Sequence, residues 1–146
     1  MKIPNSVEFS DLGPELQYFS LLQQGRFALQ YSETTGEYVH YPRVVAPRTG
    51  ATDLKWVDAS GKGTVYATTV LRRPPKYGGD YNVALIELEE GPRMLARVIG
   101  ITPDEVKIGM AVQASIEAVD FGRFAESDQP LVVFRPANNT GAARGN

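Results

Sequence analysis

Five strand-like segments in the second half of the chain constrain its fold more than any other feature of the sequence. Each is rich in β-branched and aromatic residues or alternates between apolar and polar positions, as half-buried strands do. A Pro-started helical turn that ends at Gly109 separates the third segment from the fourth. The predicted strands lie at residues 63–73, 81–89, 93–99, 110–119 and 131–135.

Three strands, a short helix and two more strands are the element order of the OB fold, a small five-stranded barrel. Closing such a barrel removes the sheet edges and buries one face of every strand. We therefore predict a mainly β protein with a five-stranded OB-fold barrel at residues 57–136, and another small β-barrel is the alternative. Residues 137–146 have no apolar pattern and are predicted to be a flexible tail.

A helix is predicted over residues 12–24, within an N-terminal segment of residues 1–26. Asp11 suits the N-cap position and Gly25 suits the C-terminal end. Between them apolar residues recur at helical spacing, which predicts one apolar face made of Leu12, Leu16, Phe19 and Leu22. A helix of ~13 residues is marginal in water by itself, so this face must pack on another part of the protein.

Residues 27–56 contain few large apolar side chains. "FALQY" and "YVHYP" are typical of short strands around the turn "SETTG", and "RVVAPRTGATD" is typical of a loop. A segment with so little core usually needs a staple such as a metal ion. The chain has no cysteine and a single histidine, His40. That composition excludes a disulfide framework, a Cys-ligated zinc or iron–sulfur site and a cysteine nucleophile.

The charge of the chain is unevenly distributed. The net charge is −2 and the isoelectric point about 5.4, which argues against a strongly basic nucleic-acid binder. Residues 41–76 nevertheless carry seven basic and two acidic side chains. Three of the basic ones flank a Pro-Pro pair and Tyr77 in "LRRPPKYGG", namely Arg72, Arg73 and Lys76. This loop is suited to a phosphorylated ligand, and a solvated loop with scattered charge is the alternative.

Several other candidate motifs have simpler structural interpretations. The phosphate-loop-like Gly61-Lys62-Gly63-Thr64 precedes a predicted strand rather than a helix, so we interpret it as the turn that starts the strand. His40 is predicted to be structural, and Arg97 to lie on the exposed side of the barrel or to pair with a carboxylate such as Glu87. A solvated hairpin turn is predicted for the acidic cluster of Glu87, Glu89 and Glu90.

Several longer phrases, in this order, resemble an acyl-CoA-associated family that combines an N-terminal helix, a rubredoxin-like zinc ribbon and a C-terminal OB fold. The resemblance covers roughly residues 10–136. The phrases are "GRFALQYSETTGEYVHYPR", "LKWVDASGKGTVYATTVLRRPP", "YNVALIELEEGPRMLARVIG", "VKIGMAVQ" and "LVVFRP".

The zinc ligands of that family are absent from this sequence. The resemblance places Ser32 and Thr35 where the first cysteine pair of the ribbon would stand, and Ala46 and Thr49 where the second pair would stand. Hydroxyl and methyl groups do not replace four thiolates around zinc. The resemblance therefore implies a degenerate, metal-free ribbon at residues 27–56. Its fold must be stabilised by hydrogen bonds or by a partner surface.

The resemblance also implies a function. Members of the family are accessory subunits of thiolase-like enzymes, and their OB domain helps hold CoA or acyl-CoA at the entrance of the active site. We expect no catalytic residue, no zinc and no covalently bound cofactor in this chain. Arg72, Arg73 and Lys76 are candidates for phosphate contact. Tyr77 and Phe134 are candidates for the wall of the ligand site.

Two other functional classes remain open at this point. An OB fold can bind nucleic acid through exposed aromatic side chains such as Tyr66, Tyr77 and Tyr81. A thioester hydrolase is the other, although the sequence offers no nucleophile–base pair for it. No apolar run reaches the ~20 residues that span a bilayer, and the N-terminal residues have no hydrophobic signal core. A cytoplasmic protein without a membrane partner is therefore expected.

Overall fold

The computed structural model describes residues 8–47, 49–119 and 129–137. A single 3-10 turn at Phe9–Asp11 precedes helix α1, which spans Pro14–Gln23. The predicted helix is confirmed, but its N-cap is Gly13 rather than Asp11, because Pro14 occupies the first helical position and Asp11 belongs to the 3-10 turn. The predicted flexible tail lies outside the described residues apart from Ala137.

Helix α1 ends in a Schellman motif. Gly25 has a positive φ of 80°, and the N–H groups of Gly25 and Arg26 donate to the carbonyls of Leu22 and Leu21 at 2.9 and 2.8 Å. The buried side chains of the helix are Tyr18, Phe19, Leu21 and Leu22. The buried face therefore includes Phe19 and Leu22 of the predicted stripe, while Leu12 and Leu16 are only half-buried.

A three-stranded antiparallel sheet follows the helix. Strand β1 (Ala28–Ser32) lies in the centre, between β2 (Glu37–Val39) and β3 (Leu54–Asp58). The two predicted strands of this segment are thus present, and β3 is an additional strand that sequence patterning missed. Its five residues, LKWVD, mix charged and apolar side chains, and their extended conformation depends on pairing with the whole length of β1. The structure shows three paired strands here, and it does not by itself show the rubredoxin-like ribbon that the resemblance implied.

The second sheet has five strands, in the order β6-β5-β4-β7-β8. The third and fourth along the chain are joined through a 3-10 turn at Pro103–Glu105, with a capping box between Thr102 and Glu105. The predicted succession of three strands, one helical turn and two strands is confirmed. The strands are β4 (Lys62–Leu71), β5 (Tyr81–Leu88), β6 (Arg93–Ala96), β7 (Ala111–Glu117) and β8 (Leu131–Pro136).

The five-stranded sheet is open, which corrects the prediction of a closed barrel. Strand β6 is only four residues long, and the chain after it meets β8 at one parallel bridge between Val98 and Phe134. Two hydrogen bonds flank this bridge, from Ile99 N–H to the Phe134 carbonyl (2.8 Å) and from Phe134 N–H to the Arg97 carbonyl (2.9 Å). One bridge brings the two edges together without forming the ladder that would close a barrel.

A buried polar side chain connects three parts of this sheet. Asn82 is 3 % exposed, and its Nδ2 donates to Thr68 Oγ1 at 2.5 Å while its Oδ1 accepts from Val98 N–H at 3.1 Å. Because a buried amide without partners costs free energy, these bonds specify where the chain after β6 must lie against β5. The surrounding core contains Val65, Ile86, Leu88, Met94, Val98 and Phe134.

The glycines of "GKGT" lie at the start of strand β4, which begins at Lys62, one residue before the predicted start at residue 63. A Cβ atom at Gly63 would lie 2.6 Å from Cγ2 of the buried Ile86 on the neighbouring strand. Gly61 combines a φ of 80° with a similarly close approach to Gln113. Glycine at these two positions therefore lets strand β4 start close to its neighbours, which agrees with the interpretation of the motif as the turn that starts the strand.

Contacts divide the protein into two compact units. The first contains the described residues up to Ser60, the turn Glu90–Pro92 and the described residues of 116–132. The second contains Gly61–Glu89, Arg93–Ser115 and the described residues from Val133 onward. None of the helices in the described residues is long and apolar enough to cross a membrane.

Candidate functional site

The loop between β4 and β5, residues 72–80, is the basic loop that the sequence singled out. Pro74 precedes a 3-10 turn at Pro75–Tyr77, and Gly78 ends the turn with a φ of 107°. A Cβ atom at Gly78 would also lie 2.8 Å from Nη2 of Arg73. The left-handed backbone favours glycine at this position, and an added Cβ atom would displace the Arg73 guanidinium.

Arg72 is held by two carboxylates. Its guanidinium contacts Asp80 Oδ2 at 2.6 Å and Asp104 Oδ1 at 2.8 Å, and Asp104 belongs to the 3-10 turn before β7. The hydrogen bonds to Asp104 and Asp80 raise the pKa of Arg72, and the bond from Arg72 lowers the pKa of Asp80. Arg72 thus anchors the basic loop, and its charge is compensated in this structure.

Arg73 and Lys76 have a different environment from Arg72. The Arg73 guanidinium lies 4.6 Å from the centre of the Tyr81 ring, and its Nε donates to the Gly79 carbonyl at 3.2 Å. The Lys76 ammonium lies 5.0 Å from the centre of the Tyr77 ring. Neither cation forms an ion pair with a carboxylate among the residues that the structure describes. Their charges are therefore not compensated by a carboxylate within the described residues, in contrast to the charge of Arg72.

The two predicted wall residues lie in contrasting environments. Tyr77 is 62 % exposed at the tip of the basic loop, where a ligand can reach its ring. Phe134 is 0 % exposed and lies in the core at the bridge between Val98 and β8. The ring of Phe134 supports the sheet, and in this structure a ligand does not reach it.

A second feature of this unit is the side of the sheet that faces away from the core. Strand β5 buries alternate residues from Asn82 to Leu88, so Tyr81, Val83 and Leu85 point the other way. Leu95 pairs with Leu85, and Leu71 pairs with Tyr81. We call this surface the outer face. Its aromatic, large apolar and charged residues are Tyr66, Leu71, Tyr81, Val83, Leu85, Glu87, Arg93, Leu95 and Arg97, and the smaller Thr64, Ala67 and Thr69 of β4 lie on it as well.

Two arginines cover the tyrosines of the outer face. Arg93 lies 3.7 Å from the centre of the Tyr66 ring and 3.4 Å from Glu87 Oε2, and Arg97 lies 4.2 Å from the centre of the Tyr81 ring. Sequence reasoning missed this arrangement. One signal in the sequence could have indicated it. The segment "YNVALIELE" is apolar on both faces, which is unusual for a strand with one solvated side.

The predicted positions of the lost zinc ligands contain hydrogen bonds between protein groups. Ser32 is 0 % exposed, and its Oγ donates to Asp53 Oδ1 at 2.7 Å and accepts from Thr35 N–H at 3.2 Å. Thr34 donates to the other oxygen of Asp53 from its N–H, at 2.8 Å. The bonds from Ser32 and Thr34 lower the pKa of Asp53 from its ordinary 3.8 to about 2. These residues do not fit zinc, because Ser32 and Thr35 carry hydroxyl groups in place of thiolates and Asp53 already accepts hydrogen bonds from Ser32 and Thr34.

The second pair of lost-ligand positions lies in a tight turn. Ala46 is 2 % exposed, its N–H donates to the Ala51 carbonyl at 2.8 Å, and its carbonyl accepts from Gly50 N–H at 3.0 Å. Thr49 N–H donates to the Pro47 carbonyl at 2.8 Å. Backbone hydrogen bonds therefore stabilise this turn, which is one of the two sources of stability, hydrogen bonds or a partner surface, that the sequence indicated. In the described ranges, no three His, Asp or Glu side chains are grouped as metal ligands.

A cleft of about 540 Å³ lies in the first unit, beside β2. His40 lines it, with its ring 5.6 Å from that of Tyr18 and 4.3 Å from that of Tyr41. Burial lowers the pKa of His40 from 6.5 to about 4, so the imidazole is neutral at physiological pH. A structural role for His40 fits this packing.

Glu90 also lines the cleft, and it differs from the other two glutamates of the hairpin. Glu87 and Glu89 are exposed, as predicted, whereas Glu90 is half-buried and its Oε2 accepts from Ser60 N–H at 2.7 Å. Its Oε1 is buried without a hydrogen-bond partner in the described part of the chain. No hydrogen bond joins Glu90 to His40, so the two do not form a catalytic pair here.

Comparison with known proteins identifies the family of this fold. The profile of the ChsH2 C-terminal OB-fold domain matches residues 56–117. A DUF35 domain-containing scaffold protein of Methanocaldococcus jannaschii is 37 % identical over 111 residues, which cover 69 % of this chain and 75 % of the relative. The chain belongs to the DUF35 family. The resemblance stated from the sequence is thereby confirmed.

Two further relatives of this DUF35 protein belong to enzyme assemblies. A solved structure named Ltp2-ChsH2(DUF35) aldolase has a TM-score of 0.71 and 31 % identity, covering 92 % of this chain and 98 % of that one. A probable enoyl-CoA hydratase alpha subunit of Thermomonospora curvata is 35 % identical over 122 residues. Those residues cover 82 % of this chain but 36 % of the hydratase subunit, so the chain spans about a third of that relative.

Proposed function

We propose that this DUF35 protein is a non-catalytic accessory subunit of a thiolase-like enzyme and helps to bind acyl-CoA at the entrance of a shared active site. The observation that carries the proposal is the likeness, over 98 % of the other chain, to the DUF35 component of an aldolase assembly. Relatives named scaffold proteins support a subunit that assists an enzyme. A protein with this function acts in the cytoplasm.

The basic loop supplies the chemistry that the ligand requires. CoA has an anionic nucleotide end, and charge-assisted hydrogen bonds from guanidinium and ammonium groups are suited to phosphate. Arg73 and Lys76 are the cations that we assign to this contact, because Arg72 is engaged by Asp80 and Asp104. The exposed ring of Tyr77 lies beside Lys76 and offers an apolar surface to the rest of the ligand.

A supporting function is consistent with the acid–base groups of the chain. A cysteine nucleophile is absent from the sequence. His40 is neutral, packed between two tyrosines, and has no hydrogen bond to a hydroxyl or carboxylate within the described residues. In the proposed complex the enzyme partner supplies the nucleophile and base, and this chain positions the thioester.

We also infer that the sheet β2-β1-β3 corresponds to the zinc ribbon of the family, without its metal. The bonds of Ser32 to Asp53 and Thr35 lie where the resemblance places the first ligand pair. A buried hydroxyl with both its donor and its acceptor satisfied is a stable replacement for a ligand. Zinc added to the purified chain is expected to leave its melting temperature unchanged.

The first experiment is an affinity purification of the tagged chain from its native lysate, followed by mass spectrometry. Recovery of a thiolase-like enzyme in near-equal amount supports the proposal. Calorimetric titration of the purified complex with CoA then tests the ligand. Arg73→Glu with Lys76→Glu is expected to weaken binding at least tenfold, whereas Lys107→Glu, a charge reversal outside the loop, is expected to leave it unchanged. Equal affinity in the loop variant and the wild type would contradict the assignment.

Nucleic-acid binding is the second candidate function, and the outer face is the observation that favours it. OB folds bind oligonucleotides on this side of the sheet, with aromatic side chains that stack on bases. Here Tyr66 and Tyr81 already carry guanidinium groups on their rings. Titration with a fluorescent single strand at low and high salt distinguishes the two functions, because binding to phosphates weakens steeply with salt.

A further inference from the structure

We propose that the outer face is the docking surface for the enzyme partner, and that the partner presents an apolar centre flanked by carboxylates. This inference rests on the proposed function for the identity of the partner. Its own basis is the composition, register and charge of the face, which Arg73 of the basic loop borders and which does not include Lys76 or Tyr77.

Large apolar side chains lie on all three strands of the outer face. Leu95 is 57 % exposed on β6, Tyr66 is 47 % exposed and Leu71 is 42 % exposed on β4. Leu85 lies between Leu95 and β4, in register with Leu95. Single exposed apolar residues are ordinary on protein surfaces, but a group connected by strand pairing is typical of an interaction site.

The arginines of the face are held in place before any partner binds. Arg93 stacks on Tyr66 at 3.7 Å, and both Arg97 and Arg73 stack on Tyr81, at 4.2 and 4.6 Å. Arginine and tyrosine are enriched among the residues that dominate binding energy at interfaces. Stacking reduces the side-chain freedom that docking would otherwise remove, so less binding energy is lost in ordering these side chains.

The charges of the face select among occupants. Arg93 and Arg97 lie on the face, and Arg73 borders it. The one carboxylate among the residues of the face is Glu87, which contacts Arg93. A second copy of this chain in a two-fold dimer would bring together two patches of the same net positive charge. A partner with carboxylates around an apolar centre removes that repulsion, since complementary charge favours correct association.

The test uses the complex of the full chain with the thiolase-like enzyme recovered above. The affinity of the purified enzyme is measured for the wild type, Leu95→Ser and Arg97→Glu. Ile108→Ser and Lys107→Glu are the matched controls, because both residues are exposed in the same unit and lie outside β4, β5 and β6. Circular dichroism melting shows that each variant is folded.

We expect each outer-face variant to weaken enzyme binding at least tenfold and each control to change it less than twofold. Enzyme binding that is equal in all variants would overturn the docking surface and leave the proposed function standing. Failure of the wild type to bind any thiolase-like enzyme would instead overturn the proposed function and this inference with it. Two further results would also overturn the docking surface. One is a wild-type dimer that becomes monomeric in Leu95→Ser, and the other is a bound single-stranded oligonucleotide that Arg97→Glu releases.

Discussion

The guanidinium of Arg72 forms a bidentate ion pair with Asp104, with Nη2 at 2.8 Å from Oδ1 and Nη1 at 3.2 Å from Oδ2. The two residues are 32 positions apart in sequence, and the pair connects the basic loop to the 3-10 turn before β7. Arg72 therefore supports the conformation of the loop, and Arg73 and Lys76 are the two cations that we propose for the contact with CoA.

Breaking this pair should loosen the basic loop without unfolding the sheet. In Arg72→Lys the charge is kept but the bidentate geometry is lost, because an ammonium group is a point donor. We expect faster amide hydrogen exchange in residues 72–80 and a lower affinity of the complex for CoA. Asp104→Asn should give the same increase in exchange. Unchanged exchange in both variants would show that the pair does not hold the loop.

Gly78→Ala and Gly79→Ala form a matched pair that tests the position of Arg73. Both glycines have a positive φ, 107° and 77°, so both substitutions should lower stability by about 1 kcal/mol. Only at Gly78 would the new Cβ displace the Arg73 guanidinium. CoA affinity measured by calorimetry should therefore fall more in Gly78→Ala than in Gly79→Ala. The same loss in both would argue against a role for the Arg73 position.

The bond between Ser32 and Asp53 should make stability depend on acidity. The pKa of Asp53 is lowered in the folded protein, from 3.8 to about 2, so this carboxylate stabilises the fold above pH ~4 and the contribution is lost as pH falls toward 2. Ser32→Ala removes the largest cause of the lowered pKa. We expect its melting temperature to be below that of the wild type at pH 7.

The pH dependence provides the control for this prediction. The difference in melting temperature between wild type and Ser32→Ala should shrink as the pH is lowered from 4 to 2, because protonation removes the charged acceptor in both proteins. Thr35→Ala is a matched variant, since the Thr35 side chain does not bond to Asp53. A constant difference across the pH range would mean that Ser32 acts through packing alone.

Phe134 should affect stability rather than ligand affinity. Its ring is fully buried, and deleting it in Phe134→Ala should cost about 3–5 kcal/mol in the free energy of unfolding. Phe134→Leu preserves most of the apolar volume and should cost less. Urea denaturation measures both, and calorimetry of the folded Leu variant in the complex should show the wild-type CoA affinity. A selective loss of affinity would restore the ligand contact predicted from the sequence.

Much of the fold was predictable because the information is local. Alternation of apolar and polar residues locates β7, and runs rich in apolar and β-branched residues locate β5 and β8. The Pro-started turn locates the break between β6 and β7. The loop of the candidate site was also recognisable, because prolines and glycines surround its three cations. The absence of cysteine from the sequence excludes a zinc site built from cysteine ligands.

Such local patterns did not predict which strands pair when they are distant in the chain. Strand β3 has no strong pattern of its own and forms because β1 offers unpaired backbone groups along its full length. The open edge of the five-stranded sheet depends on β6 ending after four residues, which leaves a single bridge at Phe134.

The site shows the same division. By itself the sequence determined which residues are charged, aromatic or apolar, and in which order they follow along the strands. Only the tertiary structure decided that Arg72 faces Asp104, that Phe134 is in the core and that Arg93 and Arg97 cover Tyr66 and Tyr81. The physical reason is that the effect of a charge or a ring depends on its neighbours in space, and strand pairing brings together neighbours that are distant in the chain.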